Sequence, residues 1–85
     1  MHINLRFFAS VREALGASHE TIDLPAGLTT VADVRNLLIS RGGVWADTLG
    51  EGRTLRMAFN QQMCDPGTVL ADGGEVAFFP PVTGG

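Results

Sequence analysis

The sequence predicts a small α+β domain: a mixed sheet of about five strands with one main helix packed across one face. Three observations carry this. Apolar residues alternate at period two in the first residues and again over Leu55–Asn60, one internal stretch repeats them at helical spacing behind a capping signal, and Gly- or Pro-containing turns punctuate the rest. A chain of 85 residues has room for one hydrophobic core, not two.

Ile3, Leu5 and Phe7 alternate with His2, Asn4 and Arg6, so the first strand has one apolar face; Phe8 is apolar on the opposite parity. Ala9–Leu15 reads as a short helical turn with Ser10 as cap, Glu13 at the capping-box offset and Gly16 as stop. Thr21–Leu24 is a second strand, closed by Pro25 and a turn at Ala26-Gly27. The main helix is expected from Val31 to about Arg41, with Thr30 as N-cap and Asp33 in the first turn. Its apolar stripe is Val31, Val34 and Leu38, and Gly42-Gly43 ends it.

Val44–Arg53 reads as an irregular connection in which Trp45 and Leu49 cover the end of the core. Leu55–Asn60 alternates as a strand, Gln61-Gln62 turns into a short piece at Met63-Cys64, and Asp65-Pro66-Gly67 and Asp72-Gly73-Gly74 are further turns. Glu75–Phe79 is apolar on both parities, as suits a strand with neighbours on each side.

Composition narrows the function. A net charge of −3, with six arginines and no lysine, gives no basic footprint for nucleic acid. The apolar runs are too short to span a membrane and the first residues carry no signal-peptide pattern, so a cytoplasmic location is expected. A lone Cys64 cannot form an internal disulfide and reads as a packing residue; His2 and His19 read as surface strand residues. No metal site, nucleotide fingerprint or acid–base constellation is present in the pattern, so neither metal nor cofactor is expected on this chain.

The last eight residues, Phe78-Phe79-Pro80-Pro81-Val82-Thr83-Gly84-Gly85, change character abruptly. Two prolines lack the N–H a ladder needs and stop the strand. Val82 and Thr83 favour extended backbone, and Gly84-Gly85 carries no side chain. The expected organisation is therefore a body over 1–79 and an extended, exposed C-terminal tail over 80–85. Such a tail could reach roughly 20 Å at ~3.1–3.6 Å per residue. A terminus without Cβ atoms can enter a channel closed to other side chains.

These residues, with Leu70–Ala77 before them, resemble the C-terminus of the small subunits of molybdopterin synthase, a branch of the ubiquitin-like β-grasp sulfur carriers. The resemblance extends to Phe7-Phe8-Ala9-Ser10-Val11-Arg12-Glu13 and to Asn60-Gln61, and so covers nearly the whole chain. It implies a β-grasp fold and a carrier that is not itself a catalyst. Gly85 would be the covalent carrier, adenylated with ATP by a ubiquitin-activator-like adenylyltransferase and converted by a sulfur donor (a sulfurtransferase or desulfurase) to a thiocarboxylate. Pro80, Pro81, Val82, Thr83 and Gly84 would thread the channel of a large synthase subunit, in a heterotetramer. There sulfur would pass to a cyclic pyranopterin to make molybdopterin. Phe8, Met63 and Phe79 match the family's apolar docking face.

The resemblance leaves rivals: a thiamine-type sulfur carrier with the same chemistry at Gly85, a ubiquitin-like modifier joined to lysines, or a β-grasp binding module with an inert tail. Two places, three residues in all, depart from the family pattern. Gly74 stands where an acidic residue is common before Glu75, and Arg56-Met57 interrupts a more uniformly apolar stretch.

Overall fold

The computed structural model describes residues 1–50 and 52–81. Its elements run β1 (His2–Phe7), α1 (Ala9–Leu15), β2 (His19–Asp23), α2 (Val31–Ile39), α3 (Gly43–Leu49), β3 (Arg56–Phe59), β4 (Gln62–Met63) and β5 (Glu75–Phe79). The five strands form one sheet in the order β2-β1-β5-β3-β4. β5 pairs parallel with β1 and antiparallel with β3, so the strand with two apolar faces does have a neighbour on each side.

The alternation in β1 is realised in full: Ile3, Leu5 and Phe7 are buried while His2, Asn4 and Arg6 face solvent. Val76 and Phe78 of β5 and Val31, Val34 and Leu38 of α2 join the same core. Each such side chain taken out of water contributes about 1.5–3 kcal/mol. Phe7 and Phe78, neighbours across the parallel pair, stack at 6.0 Å between centroids, and Trp45 meets Phe7 edge-on at 5.6 Å.

α2 begins where its cap dictates. The Thr30 hydroxyl accepts from the Asp33 N–H at 3.2 Å, and the Asp33 carboxylate accepts from Thr29 and Thr30 N–H at 2.8 and 3.0 Å. The first-turn donors of Val31 and Ala32 reach the carbonyls of Thr68 and Pro66, which ties the β4–β5 loop to the helix. The helix ends at Ile39, short of the expected Arg41, whose guanidinium instead forks onto the Glu20 carboxylate and lies 4.4 Å over the Trp45 ring.

Four further expectations are corrected. The stretch expected to be irregular contains α3, with Leu49 fully buried beneath it. Its sequence has no N-terminal side-chain cap; the helix is held from outside, because Arg35 donates from Nε to the Leu49 carbonyl and from Nη2 to those of Gly50 and Arg53, at 2.7–3.0 Å. Ser10 does not cap α1. The cap position falls on Phe8, no side chain caps it, and Ala9 enters the helix at φ 51°. β2 starts at His19 and ends at Asp23, leaving Leu24 as a buried residue just outside it.

The β3–β4 turn is centred on Asn60-Gln61, not Gln61-Gln62. Both residues have positive φ, 50° and 68°, the twist that a two-residue hairpin requires. Asn60 tolerates this conformation and also anchors the turn, its Oδ1 accepting from the Glu75 N–H at 3.0 Å. Among the described residues no helix is long and apolar enough to cross a membrane.

Candidate functional site

The sheet face turned away from α2 carries the candidate site. Register alone explains its layout. Arg6 pairs with Ala77, Ala77 with Ala58, and Ala58 with Met63, so these four residues form a row across β1, β5, β3 and β4. Two residues further along, on the same face, Phe79 pairs with Arg56, and the Phe8 ring meets that of Phe79 edge-on at 6.4 Å.

The two alanines are small enough to leave a floor, and the longer side chains around them make a rim. The result is a trough of about 320 Å³ lined by Phe8, Met63 and Phe79 together with Arg6, Ala58, Gln61, Glu75 and Ala77. Phe8 and Met63 are 39% and 57% exposed, which places large apolar surface in water on a face that no helix among the described residues covers. Phe8, Met63 and Phe79, singled out by strand parity and resemblance, are thus brought to one surface. Arg6, Gln61, Glu75 and the two alanines were not anticipated. The signal for Arg6 was its outward parity, and for the alanines the pairing of small residues inside two strands.

The Arg6 guanidinium carbon lies 5.5 Å over the Phe8 ring, a cation–π contact that holds the ring at the edge of the trough. The tail root leaves from this edge. Pro80 and Pro81 follow the central strand directly and are half-buried; Pro80 also borders a cavity of about 440 Å³ against Ser10 and Ala14 of α1 and Asp47 and Thr48 of α3. Val82, Thr83, Gly84 and Gly85, which sequence singles out most strongly, lie outside the described residues.

The remaining candidates take structural positions. Cys64 is half-buried, and burial raises its thiol pKa above the ordinary value, so it is protonated at neutral pH and a weak nucleophile. His2 and His19 are exposed on β1 and β2. Among the described residues no three His, Cys, Asp or Glu side chains cluster as a metal site would require.

Residues 5–85 match the ThiS family. The chain belongs to that family. Among curated relatives, the molybdopterin synthase sulfur carrier subunit of Escherichia coli is 41% identical and that of Haemophilus influenzae 40% identical. Each comparison covers 98% of this chain and 99% of the relative. Among solved structures, a putative molybdopterin converting factor subunit 1 from Pyrococcus furiosus superposes with a TM-score of 0.78 at 25% identity, covering 96% of this chain and 99% of that one. A chain in the complex of subunits 1 and 2 of molybdopterin-converting factor from Helicobacter pylori shares the fold, with a TM-score of 0.68 at 23% identity over the full length of both chains. The ubiquitin-like β-grasp expectation is borne out by this ThiS-family chain: a mixed sheet, a helix across one face and β-grasp neighbours.

Proposed function

We propose that this chain is the sulfur carrier of a molybdopterin synthase, with the Gly85 carboxylate as the carrying group. The observation that carries the reading is the position of the apolar trough. It sits on the uncovered sheet face, at the end of the strand from which residues 80–85 continue. Family membership and relatives named as sulfur carrier subunits support the same reading.

At neutral pH an α-carboxylate is ionised and a poor electrophile. Adenylation with ATP by a separate enzyme turns it into a mixed anhydride with AMP as leaving group. A sulfur donor then displaces AMP, giving a thiocarboxylate on Gly85. The large synthase subunit covers the trough of Phe8, Met63 and Phe79 and receives Pro80, Pro81, Val82, Thr83 and Gly84 in a channel. Sulfur then passes to cyclic pyranopterin monophosphate and the tail returns as carboxylate. This chain's part is to bind, to aim and to carry; the residues that move protons belong to the partners.

Reconstitution tests the reading. Thiocarboxylated chain mixed with the large subunit of the same organism is expected to convert cyclic pyranopterin monophosphate to molybdopterin, and a chain lacking Gly85 is expected to yield none. Equal product from the truncated chain would refute it.

A further inference from the structure

Beside the trough, beyond Met63, lies a larger open groove of about 760 Å³, with Arg35, Arg53 and Arg56 on its walls and Met57 among its apolar lining. Half of the chain's six arginines therefore meet in one concavity of a protein whose net charge is −3. Their surroundings leave the charge in place. Arg35 donates to the carbonyls of Leu49, Gly50 and Arg53, and Arg53 donates from Nε to the Asp47 carbonyl at 2.9 Å. A carbonyl fixes a guanidinium but does not neutralise it. Arg56 has no hydrogen-bond or ion-pair partner among the described residues, and Asp65 is the one carboxylate among the described residues on the groove wall. Arg41 shows the contrast: its charge is matched by Glu20.

Groove and trough share a wall at the β3–β4 side of the sheet. Met63 lines both, and Arg56 is the register partner of Phe79. A body that covers Phe79 comes close to Arg56, its neighbour across the strand pair, and a carboxylate there would accept two parallel N–H bonds from the guanidinium fork.

We propose that this groove receives an acidic segment of the same protein that covers the trough, with Arg56 as the principal contact and Arg53 and Arg35 extending the positive field. The proposal rests on the docking reading above and adds the chemistry of the partner's surface: Asp or Glu side chains flanking the apolar element that fills the trough. It also assigns a kinetic role. Charges at the rim of an interface steer the encounter, whereas the apolar centre sets how long the complex lasts.

The test is the kinetics of binding to the large synthase subunit at low and high salt, using the full chain. Arg56→Glu is expected to lower the association rate by about tenfold at low salt and to flatten its salt dependence, with little change in dissociation. Arg56→Lys should retain most of the rate. Phe79→Asp should act chiefly on dissociation. Unchanged association for Arg56→Glu, where Phe79→Asp still weakens the complex, would overturn the groove proposal and leave the docking reading standing. No effect of either substitution would overturn both. Self-association of the chain, or binding of ATP to it, that disappears in Arg56→Glu would give the groove to a different occupant and likewise overturn the proposal.

Discussion

The ring of Phe59 occupies the space that a side chain on Gly74 would need: a Cβ built on Gly74 falls 2.5 Å from Phe59 Cε1 and 2.6 Å from Cζ. Gly74 is buried and passes its carbonyl to the Asn4 N–H at 2.9 Å, so its backbone is held as the chain enters β5. A side chain at this position would have to displace that ring. Gly74→Ala is expected to destabilise the domain by about 1–3 kcal/mol through overpacking. In a Phe59→Leu background the same change should cost much less. A double-mutant cycle by urea denaturation measures the coupling, and additive effects would mean that the ring does not set the constraint.

Arg35 holds the C-terminal end of α3 by hydrogen bonds to the Leu49 and Gly50 carbonyls, and a third bond, to the Arg53 carbonyl, fixes the loop that follows. Arg35→Ala is expected to lower stability by about 1–3 kcal/mol, since the freed carbonyls are partly reachable by water. Arg35→Lys should recover little, because an ammonium lacks the planar fork. Hydrogen exchange provides the local readout: amides of Trp45 to Gly50 should lose protection before those of β1 and β5.

Ala77 and Ala58 form the floor of the trough, so a larger side chain there fills the surface without entering the core. Ala77→Leu is expected to keep the circular dichroism spectrum and to weaken binding of the large subunit by at least about tenfold, the scale of a blocked interface centre. Wild-type affinity for this variant would remove the trough from the docking surface.

Stability should depend on pH through two carboxylates. Hydrogen bonds from Thr29 and Thr30 hold Asp33 below the ordinary carboxylate range, and the Arg41 hydrogen bond does the same for Glu20. A folded-state pKa below the unfolded one gives stability that is complete above the unfolded value and fades as pH falls through the folded one. The melting temperature is thus expected to hold near neutrality and to drop below about pH 4. In Asp33→Asn with Glu20→Gln that acid-side slope should be shallower. An identical slope in the double variant would place the linkage elsewhere.

Much of this structure can be read from local pattern, and the parts that cannot have a common cause. β1 shows its strict alternation, α2 carries both halves of its capping box in Thr30 and Asp33, and β5 shows its central place by apolar residues on both parities. α3 was invisible because Arg35 of another helix completes its end and the core under Leu49 holds it; neither is written in Gly43–Leu49. The end of α2 at Ile39 is hidden from local pattern for a similar reason, Arg41 being drawn to Glu20 and Trp45. Of the site, parity exposed Phe8 and Phe79, but the trough needed the registers that align Arg6, Ala77, Ala58 and Met63 across four strands.

The carrier role meets its most direct test in the intact mass of the full chain after incubation with ATP, the activating enzyme and a sulfur source. The mass is expected to rise by the exchange of one oxygen for sulfur, and the gain should vanish on removal of Gly85 or in Gly84→Arg. An unchanged mass in the complete mixture, or the same gain without Gly85, would contradict it.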